Sequence, residues 1–416
     1  DKLSAVSPNN PIVLSHASGH LTLVNKKAMD VAGVSNLSKA ALEKLIVDGG
    51  EIITDAHGKP TGIFNEEAQA IIEKYITKPS DETLLKAAAL ASEACSRNGI
   101  TSFHDAGESQ KAIDVMKKLK TERKLNVRLY VMLSGSDRSL IKKWISMGPE
   151  IDSNHWITIR SIKMYGDGAL GSRGAWLLQE YTDRPGHFGQ EIEPMDTILA
   201  GARLGLQHGF QVCTHAIGDR ANREVLNRYE IAFKENPEKA KDVRFRIEHA
   251  QHIDPQDIPR FGQLGVIPAM QAIHLSSDRP WAIDRLGEKR ITEGAYMWKA
   301  LLQSGARIVN GTDVPVEPIN PIAGFYASVT RRTLKGEPTG GYEPAQKMSR
   351  EEALKSYTLD AAYGAFEEKI KGTIEAGKLA DFTVFSQDIM KVDENNILST
   401  KVIYTIVGGK VVYERK

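Results

Sequence analysis

Phe210-Gln-Val-Cys-Thr-His215, a helical stretch from Arg220 to Phe233, then Val243-Arg-Phe-Arg-Ile-Glu-His249 form one strand–helix–strand unit, and each strand runs into a histidine. Short apolar runs joined by a helix of this length predict parallel strands with a crossover helix. Outward from this unit the alternation repeats. Strands are predicted at 100–104, 127–133, 159–165, 210–214, 243–248, 266–270 and 307–310. Helical stretches such as Thr83 to Arg97, Ala112 to Lys118 and Met297 to Ser304 fall between them. Seven such strands predict an α/β chain with a (β/α)8 TIM-like barrel whose first strand is missing. A doubly wound open sheet is the rival architecture.

The ends of the chain have a different texture. Residues 1–80 are expected to form an insertion or lid on the barrel. They carry a strand at Pro11–Ser15, a helix at Val24–Ala32, a turn at Asp55–Pro60 and a helix at Asn65–Tyr75. Residues 81–368 are the expected barrel, closing on a helix over Ser349–Tyr363. Ser349 followed by Glu352 predicts a capping box there. Residues 369–416 hold strands at 381–385, 402–407 and 410–413, with Gly408-Gly409 as a hairpin turn. They are expected to be a small β-sandwich portion that packs on the barrel.

Composition narrows the function. The 416 residues carry 54 Lys plus Arg against 53 Asp plus Glu, a net charge of +1, so no nucleic-acid footprint is expected. Cys95 and Cys213 are the two cysteines, which rules out a disulfide framework and points to a reducing, cytoplasmic setting. No apolar run is long enough to span a membrane. A small-molecule substrate is expected, and the chain is open to homo-oligomer formation.

The chemistry gathers where strands finish, the functional face of a barrel. Lys163 lies in Ser-Ile-Lys-Met-Tyr-Gly-Asp167-Gly, His215 and His249 close their strands, and Asp313 follows Ile-Val-Asn-Gly-Thr. A single histidine after a strand is ordinarily a hydrogen-bonded loop residue, and an aspartate near glycine a turn residue. Four such residues on separate strand ends instead suit zinc or a similar divalent ion. Lys163 serves a metal only as a carbamate; otherwise it binds a substrate carboxylate or acts as a metal-free Schiff-base nucleophile.

Ile-Lys163-Met-Tyr-Gly-Asp167-Gly-Ala-Leu-Gly-Ser-Arg173-Gly resembles a signature of the amidohydrolase superfamily, in the family-3 branch that includes N-substituted formamide deformylase-like hydrolases. Gly99-Ile-Thr-Ser-Phe-His-Asp105, Thr214-His-Ala-Ile-Gly-Asp-Arg-Ala221, Arg246-Ile-Glu-His-Ala-Gln251, Gly311-Thr-Asp-Val-Pro-Val-Glu-Pro318 and the tail from Gly372 to Val384 match in order, as does His16-Ala-Ser-Gly-His20. The resemblance implies cleavage of an amide-type C–N bond by metal-activated water. It implies Lys163 (as its carbamate), His215, His249 and Asp313 as metal ligands, with Asp313 also the proton shuttle. It implies His20, Asp105 and Arg173 as candidates for substrate contact or for shaping the pocket. The branch's His-x-His is not found among the eleven histidines. The chain is therefore expected to hold one weakly bound ion or none, and a catalytically impaired binding module is the alternative.

Overall fold

The structure is a computed structural model that describes residues 2–16, 19–46 and 49–416. Ala17 and Ser18 of the His16–His20 motif lie outside the described residues.

Residues up to Glu73 build a four-stranded antiparallel sheet: β1 (Val13–Ser15), β2 (Leu21–Val24), β3 (Gly50–Thr54) and β4 (Pro60–Glu66), in the order β1-β2-β4-β3. This corrects the expectation of one strand and two helices. The turn at 55–60 joins β3 to β4: Asp55 accepts the backbone N–H groups of His57 and Lys59. The first expected helix is shortened to Lys26–Val31, because Val24 belongs to β2 and Asn25 caps the helix by accepting from Ala28 N. Asn65 and Glu66 end a strand rather than start a helix, and only Glu67–Glu73 coils.

The main sheet contains β5 (Ser102–Glu108), β6 (Arg128–Ser134), β7 (Glu150–Ile151), β8 (Ile157–Tyr165), β9 (Gln211–Ala216), β10 (Arg246–His249), β11 (Ile267–Met270) and β12 (Val309–Asn310). Its parallel path runs β12-β11-β10-β9-β8-β6-β5, and the short β7 adds to β8 antiparallel. These seven parallel strands match the predicted ones. Helices such as Asp81–Arg97, Gln110–Thr121 and Asp219–Glu235 cover the sheet. β6 is buried along nearly its whole length, as a parallel strand between two packed layers must be. The sheet curls enough for β5 to approach β8, two positions away, but β5 and β12 remain its two ends.

The expected last helix is two: Arg350–Tyr357 and Leu359–Gly364, broken at Thr358 (φ −126°, ψ −89°). The capping box at Ser349 and Glu352 is present. β13 (Phe382–Phe385), β14 (Val402–Val407) and β15 (Lys410–Glu414) form an antiparallel sheet. It docks on the end of helix Asp81–Arg97, where Thr405 and Thr383 donate to the carbonyls of Ser96 and Gly99. Asp381 accepts from Arg128 Nε and Nη2 at 2.6 and 3.0 Å, tying the tail to the first residue of β6.

Candidate metal centre

Parallel register sets the candidate residues side by side. Tyr165 of β8 pairs with His215 of β9, which pairs with Glu248 of β10. Side chains alternate along a strand, so His249 ought to face away from His215. It does not, because its backbone turns into the left-handed region (φ 76°) as β10 ends. That turn brings the two rings edge to face, with centroids 4.4 Å apart. A non-glycine residue held at positive φ is a strained position of the kind found at functional sites.

The protonation of both imidazoles follows from their surroundings. His249 Nδ1 donates to Gln271 Oε1 at 2.7 Å, while Gln271 Nε2 donates to the Ala269 carbonyl. The amide is thus oriented, and the lone pair of His249 is on Nε2. Burial pushes His249 down to about 4, helped by Lys163. Burial also holds His215 well below the ordinary imidazole range, with His249, Lys163 and His20 acting the same way. His215 Nε2 lies 3.5 Å from both the Gly168 carbonyl and Asp167. Asp167 is wholly buried and accepts three backbone N–H groups, from Trp176, Ile217 and Gly218. Burial outweighs those donors and raises its carboxyl to about 7.

The rings continue along the rim. His20 lies beside His215 at 5.3 Å between centroids, and His274 stacks on His249 at 6.0 Å. His274, pushed down to about 4 by burial, stands 3.8 Å from Asp313 Oδ2. Asp313 therefore reaches the row through His274, and its side chain is 38% exposed. Lys163 is buried, with Nζ 3.8 Å from the Tyr165 ring centroid. Gln271, His274, Glu66 and Asp167 were not anticipated as site residues; Asp167 alone lay inside a quoted motif.

Two expected contacts fall elsewhere. On β5, His104 faces Tyr130 and Arg246. The next residue, Asp105, takes the other face, where it interacts with Glu108 and with the Cys95 thiol of helix Asp81–Arg97. Arg173 sits at φ 63° and turns its guanidinium outward to Asp183, which also binds Arg285. Neither is part of the imidazole row.

A divalent ion fits part of this set. His215 and His249 offer two neutral, buried nitrogens on one rim, which is ligand chemistry for zinc. Among the described residues, no three His, Cys, Asp or Glu side chains close into one ligand group. Lys163 as an ammonium repels a cation, and only its carbamate supplies an anionic oxygen.

The sequence profile of the amidohydrolase family matches residues 1–413. The chain belongs to the amidohydrolase family. It is 31% identical to Protein LONG AFTER FAR-RED 3 of Arabidopsis thaliana, over 99% of this chain and 70% of that protein. It is 24% identical to N-substituted formamide deformylase of Arthrobacter pascens, over 100% of this chain and 75% of that protein. Its fold is similar to a metal-dependent hydrolase of Pyrococcus horikoshii OT3, with a TM-score of 0.73 and 25% identity over 94% of this chain and 74% of that one. This likeness agrees with an amidohydrolase barrel as the parent of the curled parallel sheet. Within the described residues, no helix of this family member is long and apolar enough to cross a membrane.

Proposed function

We propose that the chain is a metal-dependent hydrolase that cleaves the C–N bond of an amide, of the N-substituted formamide class, with water. The observation that carries this reading is the His215–His249 pair: two buried imidazoles with ring centroids 4.4 Å apart, one of them fixed in its tautomer by Gln271. In this reading His215 and His249 hold a divalent ion, zinc by preference for imidazole, with Asp313 and a carboxylated Lys163 completing the set. Such an ion, when bound, supplies a water acidified toward a pKa of about 7 and polarises the scissile carbonyl.

The chain's own residues do the rest. Asp313 accepts the proton that the water loses and returns it to the nitrogen that leaves. Water oxygen bonds to the carbonyl carbon, the C–N bond breaks, and the amine departs protonated by Asp313. His274, stacked on His249, stands 3.8 Å from the Asp313 carboxylate. The sheet of residues 1–80 acts as a lid on the 81–368 barrel; Gln190 donating to Gly49 and Arg184 pairing with Glu51 support this reading. The 369–416 segment braces the opposite end through Asp381.

The test is release of formate and amine from an N-monosubstituted formamide by the purified chain. Activity that stops with a chelator and returns with zinc supports the reading. Turnover indifferent to chelation, or a borohydride-trapped substrate adduct on Lys163, overturns it.

A further inference from the structure

Beyond His274 the rim turns acidic. His274 and Asp278 are four residues apart on the helix Ala272–Gly294, so they share one of its faces. Asp313 and Glu317 are four apart in the loop after β12, within a turn where Val316 N donates to the Asp313 carbonyl at 2.8 Å. The two segments run side by side. His274 Nε2 stands 3.8 Å from Asp313 Oδ2, and Ser277 Oγ lies against Glu317 Oε1. The same hydroxyl is 3.3 Å from Asp278 Oδ1, so its one proton is shared between two carboxylates. Gln251 donates through Nε2 to Asp278 Oδ2 at 3.3 Å and to Tyr296 Oη at 2.9 Å. Among the described residues, no Lys or Arg lies within ion-pair distance of Asp278, Asp313 or Glu317. Burial, then the Glu317 carboxylate, push Asp278 up to about 7. A second, independent feature sits in the same corner. His274 is 6% exposed, and its Nε2 is buried without a hydrogen-bond partner. The 3.8 Å to Asp313 is too long for one. Buried polar atoms are ordinarily paired, so this nitrogen marks a place for a polar ligand atom beside Asp313.

We propose that Glu317 and Asp278 select the substrate: they take a positive charge on the nitrogen side of the scissile bond, so that the amide is a short alkyl diamine acylated at one end. This rests on the hydrolase reading, in which Asp313 meets the nitrogen that leaves. The substituent on that nitrogen then has Glu317 and Asp278 before it, one turn further on, about 5–6 Å away. A chain of about three methylenes spans that distance. An ammonium there has three N–H donors to give to carboxylate oxygens, and its charge offsets the repulsion between the two acids. A neutral alkyl group of the same length would take water from both carboxylates and return no hydrogen bond.

The probes are N-(3-aminopropyl)formamide, cationic at neutral pH, and N-butylformamide, its neutral counterpart. Formate release by the full, zinc-loaded chain is expected to give a kcat/KM at least about 10-fold higher for the cationic amide, the scale of a hydrogen bond to a charged group. This ratio is read on the wild type and needs no variant. Added sodium chloride should narrow it, because the rim is open to solvent. Glu317→Gln and Asp278→Asn keep the shape and remove one charge each. Either should lower kcat/KM for the cationic amide by about 10- to 100-fold and bring the ratio toward one. The loss should fall on KM more than on kcat, as removal of a binding contact does.

Equal kcat/KM on the two amides in the wild type overturns the proposal, as does an equal loss on both in the variants. Calcium bound tightly by the wild type and lost in Glu317→Gln also overturns it, since the pair would then be a metal site. If the wild type hydrolyses neither amide, the hydrolase reading fails, and calorimetric titration of the resting chain with the same two amides decides the assignment. It stands if the cationic amide alone binds and Glu317→Gln abolishes that binding; it falls if both bind alike or neither binds.

Discussion

Gln271 orients His249: its Oε1 accepts a hydrogen bond from His249 Nδ1–H at 2.7 Å, and its Nε2 donates to the Ala269 carbonyl at 3.1 Å. Groups that orient a metal-binding imidazole typically contribute about 10- to 100-fold to metal affinity. Gln271→Leu is predicted to weaken zinc binding by that factor, with His249 still buried. Titration against a competing chelator measures it. Unchanged affinity would show that the hydrogen bond only packs the ring.

The tail should stabilise the barrel mainly through one ion pair. Arg128 and Asp381 are 3% and 5% exposed, and Arg128 also donates to the carbonyls of Asn154 and His155. Removing one partner of a buried pair strands the other charge, at a cost of about 3–5 kcal/mol. Asp381→Ala should therefore lower the urea midpoint strongly, whereas Lys391→Ala, on the exposed Lys391–Asp388 pair, should hardly move it.

Asp105 and Glu108 provide a pH test. Burial, then the neighbouring Asp105 carboxylate, raise Glu108 above the usual carboxylate range. A raised folded-state value means that the folded chain binds this proton more tightly than the unfolded chain. Its stability contribution is complete below the ordinary glutamate value and is lost as pH rises toward the folded one. The thermal midpoint should fall between about pH 5 and pH 8 in the wild type and fall less in Glu108→Gln. A steeper fall in the variant would mean that the sign is wrong.

The parallel sheet was legible because each strand is a short apolar run closed by a turn and followed by a helix. His215 and Lys163 were legible because they sit at the ends of such runs. The N-terminal sheet was not. Its β2 pairs antiparallel with β4 across the long stretch 25–59, and a 4-residue strand such as Leu21–Val24 has too little alternation to be told from a helix start. Glu66 was hidden for the same reason, since its contact with His20 depends on that pairing. His249 ends its strand as the pattern indicated, but its approach to His215 depends on a left-handed turn that no strand pattern encodes. Arg173 and Asp105 show the converse. Both lie in recognisable motifs, yet the alternation of β5 and a loop residue at φ 63° turn them away from the row.

The central claim is that His215 and His249 together bind the metal, and zinc K-edge absorption of the zinc-loaded chain tests it most directly. The account predicts two imidazole nitrogens at about 2.0–2.1 Å from the ion, one in His249→Asn, and no bound zinc in the double variant His215→Asn/His249→Asn. An unchanged spectrum and full zinc occupancy in the double variant would contradict it.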